Sequence, residues 1–197
     1  MKIQKPPVFT VRKIVVTGIL GALSIVLGIT GIGFVTWFPG ASLTVMHVPV
    51  LIGAILEGPL VGALIGFLFG LFSLIQASLI AVNPADIAFT NPLISVLPRL
   101  FIGPAAWLIY TGIRGKNFRR IRESIAIVLG SLVGSIVNTG LVLGALGLFQ
   151  VIPWPALGVI AVTNGPLEAA FAAVLVLIVL LIWKGIPLRG SSRLTRK

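Results

Sequence analysis

The sequence alternates long apolar runs with short polar connections. The apolar runs cover residues 14–35, 43–56, 60–82, 92–113, 125–149 and 156–183. A helix of about 20 apolar residues spans a bilayer, and all of these runs except the second reach that length. They are too long and too uniformly apolar for the alternating strands of a membrane barrel. The pattern therefore predicts an all-α integral membrane protein with one domain over residues 1–197.

Basic residues gather at the ends of these runs. The chain has 15 Lys and Arg against 4 Asp and Glu, and every basic residue except Arg99 lies in one of the segments 2–13, 114–122 and 184–197. The positive-inside rule places all three segments in the cytoplasm, so an even number of crossings must separate each pair. The short second run must then count as a helix although it contains Pro49. We expect six transmembrane helices with both termini in the cytoplasm.

The net charge of +11 does not indicate nucleic acid binding, because the basic residues flank membrane spans. They are better explained by topology and by contact with anionic lipids. The predicted location is the plasma membrane of a prokaryote, which the chain crosses several times.

The predicted outer loops lie at 33–43, 83–91 and 150–155, and the inner connections are a tight turn at 57–59 and the basic loop 114–123. Each outer loop combines Pro with an aromatic residue or Asn. Trp37 and Trp154 can act as interfacial anchors. Alternatively, they belong to a lid over a pocket that opens outward.

Small residues recur every fourth position in several runs. Helix 3 has Gly62, Gly66 and Gly70, and such stripes allow close packing of helix backbones. Helix 1 offers Gly18 and Ala22, which can pack inside the bundle or dock another membrane protein.

Several polar residues lie within or near the runs, and we expect most of them at one depth near the outer face. They are His47, Gln76, Asn91, Arg99, Asn138, Asn164 and Glu168. A cation at membrane depth is costly and usually has a partner and a function. Arg99 suits bidentate recognition of a carboxylate in a solute pocket. The alternative is a structural salt bridge between Arg99 and Glu168.

Catalytic parts are missing from the sequence. It has no Cys, one His, no HExxH, no GxSxG and no P-loop motif. We therefore expect a protein that is not an enzyme and that needs no metal or cofactor. If it drives uptake, the energy must come from a partner or from an ion gradient.

Most of the chain resembles the substrate-binding S components of energy-coupling factor (ECF) vitamin transporters. The resemblance rests on HVPVLIGAILEGPLVGALIGFLFGLFSLIQA (47–77), NPLISVLPRLFIGPAAWLIY (91–110), GSLVGSIVNTGLVLGAL (130–146) and TNGPLEAA (163–170). The PR pair and the TNGxxEA segment are its most specific parts.

The resemblance implies a six-helix subunit that captures a vitamin from outside the cell. It also implies a membrane coupling subunit and two cytoplasmic ATPases as partners, with Gly18 and Ala22 at the coupling contact. Carried over by position, the ligand would meet Arg99, Asn138, Asn164, Glu168 and residues of the loops 33–43 and 83–91. The expected substrate-binding residues also include His47, Asn91 and Trp37.

The cargo implied by the resemblance is pantothenate or another small carboxylate. Folate, riboflavin, cobalamin and other vitamins stay open as alternatives. A membrane scaffold or assembly protein without a ligand is the alternative from another functional class.

Overall fold

The computed structural model describes residues 10–38, 41–80, 84–115 and 120–185. The side chains of residues 34–38, 41–43, 84, 85 and 120 are outside this description. Parts of all three predicted basic clusters also lie outside the described residues, namely Lys2, Lys5, Lys116, Arg119, Arg189, Arg193, Arg196 and Lys197.

The described chain is predominantly helical. The helices are α1 (Val11–Ile29), α2 (Val48–Glu57), α3 (Pro59–Ile80), α4 (Pro84–Ala88), α5 (Pro92–Ser95), α6 (Leu97–Arg114), α7 (Arg120–Leu148), α8 (Trp154–Thr163) and α9 (Gly165–Trp183). Five segments within the described residues are long and apolar enough to cross a membrane: α1, α3, α5 with α6, most of α7, and α8 with α9. α2 is apolar but shorter.

The predicted outer loop 33–43 contains a short antiparallel hairpin. Its strands are β1 (Phe34–Phe38) and β2 (Ala41–Thr44), and Phe34 pairs with Thr44. The hairpin adds a strand pair to the predicted all-α architecture. β1 (FVTWF) does not alternate between polar and apolar residues, and β2 (ASLT) alternates over only four residues, so the hydrophobic pattern contains little sign of the hairpin.

The second predicted helix, 43–56, begins later than expected. α2 starts at Val48, and Pro49 lies in its first turn, where the missing N–H costs no helical hydrogen bond. Every residue from Val48 to Ile55 is buried. α2 is therefore a central helix, which explains why it is apolar on all sides. It ends at Gly58, whose φ of 105° forms the predicted tight turn into α3.

Two of the predicted helices are interrupted. The predicted helix 92–113 divides at Val96 into α5 and α6, just before Pro98, and the predicted helix 156–183 divides at Asn164, just before Pro166. In each case a proline removes a backbone donor, which weakens the helical ladder at that point.

Candidate functional site

The break before α6 places Arg99 at the start of that helix. Pro98 has no N–H to donate to the carbonyl of Ile94, four residues earlier. The Arg99 guanidinium hydrogen-bonds this carbonyl instead, with Nη1 donating to Ile94 O at 2.5 Å. Pro98 thus leaves the Ile94 carbonyl without its helical donor, and Arg99 provides a donor in its place. Arg99 is 7% exposed.

Two aromatic rings contact the Arg99 guanidinium. The Cζ atom lies 5.4 Å from the ring centre of Phe69 on α3 and 5.1 Å from that of Phe89, which follows α4. Such contacts stabilise a cation through the negative face of the ring, more strongly where water is excluded. They leave the edges of the guanidinium available for hydrogen bonds.

One donor of this guanidinium is unused. Arg99 Nε is buried and has no hydrogen-bond partner in the described part of the chain. A buried donor without a partner costs about 1–3 kcal/mol. Nε and Nη2 form the edge of the guanidinium that binds a carboxylate in bidentate fashion. Within the described chain, the Nε donor of this edge is therefore unsatisfied.

Arg99 lines a cavity of about 350 Å³ between α3, α4, the start of α6 and the end of the hairpin. The other lining residues are Thr44, Met46, Phe69, Ser73, Gln76, Ala77, Ile80, Asp86 and Phe89. The cavity thus combines an apolar wall with hydroxyl, amide, acidic and basic groups. This mixture is typical of small-molecule sites.

The sequence pattern had singled out Gln76 as an intramembrane polar residue, but not as a site residue. Ser73 and Thr44 are also absent from the predicted site, and Asp86 is not named individually, although it lies in the loop 83–91 that is expected to meet the ligand. A signal was present on α3, because the lining residues Phe69, Ser73, Gln76 and Ile80 repeat at three- and four-residue intervals and so share one helix face.

Glycines allow α3 to approach the chain that carries Arg99. A Cβ atom at Gly66 would collide with the carbonyl oxygen of Arg99, and one at Gly70 would lie 2.7 Å from Val96 Cα. One turn further toward the start of α3, Gly62 faces Gly103 in the same way. The predicted glycine stripe of helix 3 is therefore a contact surface for α5 and α6, and it brings Phe69 close enough to reach the guanidinium.

Glu168 and His47 are not among the lining residues of this cavity, and they contact each other. His47 Nδ1 is 3.7 Å from Glu168 Oε1, and the other ring nitrogen, Nε2, is 2.9 Å from Ser135 Oγ on α7. The backbone of Thr44 also hydrogen-bonds Glu168. These contacts join the start of α2 to α7 and α9.

The charges of Arg99 and Glu168 interact through space, but among the described residues no ion pair within 4.0 Å joins them. The expected direct salt bridge between them is thus absent from this structure. Glu168 instead uses His47 and the Thr44 backbone as its near partners.

The predicted asparagines occupy three different environments. Asn138 on α7 is 6% exposed, and its Oδ1 has no hydrogen-bond partner within the described chain. Asn164 lies at the junction of α8 and α9. Asn91 caps α5, because its side chain accepts a hydrogen bond from Leu93 N at 3.0 Å. Trp37 lies in β1, and its side chain is outside the described residues.

The predicted partner-binding pair lies on the outer surface of α1. Gly18 and Ala22 are exposed, and no atom lies within 4 Å of a Cβ placed at Gly18. The inner face of α1 uses other small residues, since Gly21 and Gly28 are buried against Leu68 and Phe72 respectively. Gly18 and Ala22 are therefore not needed for packing within the described part of this chain.

A second polar cluster, which the sequence pattern did not indicate, surrounds Glu123 at the other end of the bundle. Glu123 is 1% exposed, accepts a hydrogen bond from Tyr110 at 2.6 Å and pairs with Arg114 at 3.0 Å and with Lys184. These contacts tie α6, α7 and α9 together. Two of the basic residues assigned to topology thus also have a structural role.

No group of three or more Asp, Glu, His or Cys residues that could hold a metal ion occurs among the residues described. The chemistry available at the cavity is that of binding through a cation, an acid, hydroxyls and an amide.

A multi-pass helical membrane protein with a small amphiphilic cavity around a buried arginine belongs to the class of solute-binding membrane proteins. A comparison with known families matches residues 12–180 to the family described as "ECF transporter, substrate-specific component". The chain belongs to this family and is a multi-pass cell membrane protein.

Among curated proteins, the chain is similar to the pantothenic acid transporter PanT of Lactococcus lactis subsp. cremoris (strain MG1363). The two are 27% identical over 151 residues, which are 67% of this chain and 72% of that protein.

Proposed function

We propose that this protein is the substrate-capture subunit of an ATP-driven vitamin uptake transporter, and that its cargo is pantothenate or another small vitamin with a carboxylate. The single observation that carries the proposal is the buried Arg99 guanidinium at the wall of the cavity, which makes no ion pair within 4.0 Å among the described residues. A ligand carboxylate in the cavity would pair with this cation.

The size of the cavity favours a small ligand over a large ring system. Ligand sites usually enclose about 300–1,000 Å³. The cavity of about 350 Å³ is at the lower end of that range, and two of its aromatic rings, Phe69 and Phe89, already contact the guanidinium. Folate, riboflavin and cobalamin are larger or need extended stacking surfaces. The similarity to a pantothenic acid transporter supports the same choice.

The proposed topology has six crossings with both termini in the cytoplasm. At about 1.5 Å per residue, a ten-residue helix covers only about half of the hydrocarbon core. We propose that α2 completes its crossing together with the hairpin that precedes it. Irregular backbone is tolerated at this depth where it is buried in protein or lines a cavity, and Thr44 of the hairpin lines the cavity.

The remaining predicted residues would then divide by role. Arg99 contacts the ligand, while His47 and Glu168 join the start of α2 to the middle of α7 and the first turn of α9. Asn138 and Asn164 stay predicted ligand contacts, and Asn91 serves as a helix cap.

Trp37 stays a predicted lid residue over the pocket. Gly18 and Ala22 form the proposed contact with a membrane coupling subunit, which joins two cytoplasmic ATPases to a subunit that is itself not catalytic.

The test is equilibrium binding of pantothenate and a panel of B vitamins to the purified chain, with Arg99→Gln as the key variant. Loss of a bidentate charged contact in a partly dry site costs about 2–3 kcal/mol, so the affinity for an acidic ligand should fall about 30- to 150-fold. Arg122→Gln is the matched control. Arg122 is exposed in the first turn of α7 and does not line the cavity, so its loss should not affect binding.

Normal binding by the Arg99→Gln variant would refute the assigned role of Arg99. A folded wild-type protein that binds no vitamin at micromolar concentration would overturn the proposed function. Copurifying proteins without any small ligand would favour the scaffold alternative.

A further inference from the structure

We propose that Ser73 and Gln76 on α3 form a neutral recognition strip, which binds the uncharged polar groups of a ligand whose carboxylate pairs with Arg99. This inference rests on the proposed function. It deepens that function by defining the ligand as an elongated monocarboxylic acid with an amide near its middle and a hydroxyl at its far end.

The two side chains of the recognition strip line the cavity and have unused hydrogen-bonding capacity. Ser73 and Gln76 are both partly buried, and neither side chain makes a hydrogen bond within the described part of the chain. A hydroxyl can donate one hydrogen bond and accept two, whereas a side-chain amide can donate two and accept two. Polar groups at membrane depth are costly unless protein, water or a ligand satisfies them. The strip therefore presents donors and acceptors to a molecule that enters the cavity.

Ser73 differs from several other hydroxyl residues in the helices of this chain. A Ser or Thr in a helix can satisfy its own hydroxyl by donating to the carbonyl four residues earlier. Ser78 on the same helix does so, because its Oγ donates to Leu74 O at 2.8 Å. The residues with the same bond in other helices are Thr17, Ser24, Thr111 and Thr163. Among the described residues Ser73 makes no such bond to Phe69 O, so its hydroxyl is available to a ligand.

The spacing of these residues along α3 matches an elongated ligand. The ring centre of Phe69 lies 5.4 Å from Arg99 Cζ and so marks the level of the cation. At about 1.5 Å per residue, Ser73 lies about 6 Å and Gln76 about 10 Å further along the helix axis. All three residues share one face of α3, because they repeat at three- and four-residue intervals.

Pantothenate has polar groups at comparable separations. An extended chain advances about 3.3–3.6 Å for every three bonds, so the terminal hydroxyl oxygen, eight bonds from the carboxylate carbon, is about 9 Å away. The amide of the ligand lies between these two ends. A carboxylate paired with Arg99 would therefore bring the amide near Ser73 and the terminal hydroxyl near Gln76.

A site that hydrogen-bonds a hydroxyl discriminates strongly against an analogue without it. Such an analogue still displaces water from the cavity, and it leaves the polar groups of the site unpaired. The recognition strip should therefore distinguish hydroxylated acids from apolar acids of the same length, which the charge of Arg99 alone cannot do.

The test compares three probes on the full purified chain by equilibrium binding. They are pantothenate, panthenol, in which a neutral alcohol replaces the carboxylate, and a dideoxy analogue of pantothenate, in which hydrogen replaces both hydroxyls. The wild type should bind pantothenate at least about tenfold more tightly than the dideoxy analogue. In Gln76→Leu, which removes the amide but keeps a side chain of similar bulk, this preference should shrink to about threefold or less. The preference for pantothenate over panthenol should persist in Gln76→Leu and disappear in Arg99→Gln.

Ser73→Ala has a matched control on the same helix. Ser73→Ala should weaken pantothenate binding by about threefold to tenfold, because the ligand loses a hydrogen bond. Ser78→Ala removes an exposed hydroxyl that does not line the cavity, so it should bind like the wild type. Equal affinities of Ser73→Ala and Ser78→Ala would remove Ser73 from the recognition strip.

Thermal unfolding of each variant identifies loss of fold. Gln76→Leu and Ser73→Ala remove no hydrogen bond within the described chain, so they should unfold at the wild-type temperature or above. The wild-type measurement also stands alone, because equal affinity for pantothenate and its dideoxy analogue would overturn the inference even if a variant did not fold.

The outcomes separate this inference from the proposed function. Binding of pantothenate by the wild type with an unchanged preference in Gln76→Leu overturns only the role of Gln76. Binding of another vitamin but not of pantothenate overturns the match between the strip and an elongated hydroxylated acid. Failure of the folded wild type to bind any vitamin overturns the proposed function itself.

Discussion

Gly66→Ala should disturb the ligand site through the backbone, without touching the ligand. Gly66 lies in the middle of α3, and an added Cβ would collide with the carbonyl oxygen of Arg99 and lie 2.9 Å from its carbonyl carbon. Both of these atoms are backbone, so no side-chain rotation can relieve the collision. α3 and α6 must move apart, and Arg99 moves with α6.

Two opposing effects set the magnitude. Overpacking a tight contact costs about 1–3 kcal/mol. Replacing Gly by Ala within a helix returns about 1 kcal/mol. The stability of the bundle should therefore fall by about 0–2 kcal/mol. Ligand affinity should fall more, because the positions of Phe69 and the guanidinium both depend on this approach and a small displacement misaligns a bidentate contact.

The assay is thermal unfolding in detergent together with equilibrium binding of pantothenate. Gly144→Ala is the matched control, because Gly144 lies inside α7 and a Cβ added there would have no atom within 4 Å. We expect Gly144→Ala to unfold at the same or a higher temperature and to bind normally. If Gly66→Ala behaved like this control in both measurements, the contact between α3 and α6 would not be what positions Arg99.

Two further predictions concern other parts of the chain. Gln150 follows the end of α7 with φ 55°, and Val151 N donates to Leu146 O at this helix end. Because a residue with a Cβ is strained at positive φ, Gln150→Gly should relieve about 1 kcal/mol and raise the unfolding temperature. Gln150→Ala should not raise it. Gly18→Leu should leave vitamin binding intact and abolish copurification of the coupling subunit. Leu at exposed Gly112, which also has open space around it, is the control, and retained copurification in Gly18→Leu would argue against that contact.

The sequence predicted the main helical segments and their order, because runs of about 20 apolar residues have few alternatives in a bilayer. It also singled out Arg99 as a candidate site residue, because a lone cation in an apolar run is costly. The sequence pattern did not predict the breaks within two of these helical segments. Pro98 and Pro166 interrupt segments that hydropathy alone reads as continuous, and hydropathy does not register the loss of a backbone donor.

The cavity lining could be predicted only in part, because depth in the membrane does not specify direction around a helix axis. Asp86 lies in a predicted loop, and Thr44 lies at the end of a hairpin that the pattern did not indicate. Their approach to Arg99 depends on how the connections before α2 and after α3 pack against α3. This packing depends on tertiary contacts, which the hydrophobic pattern of a single apolar run does not reveal.

The buried polar residues predicted for the site differ in their physical requirements. Glu168 and His47 are buried; His47 Nε2 is 2.9 Å from Ser135 Oγ, and His47 Nδ1 faces Glu168 Oε1 at 3.7 Å. Such a network holds helices in place because separating its members would leave polar groups without partners. Arg99 donates from Nη1 to Ile94 O and lines the cavity, and it makes no ion pair within 4.0 Å among the described residues. A site that must bind and release a solute needs this second kind of residue, because a cation that was fully paired within the protein would gain nothing from the ligand.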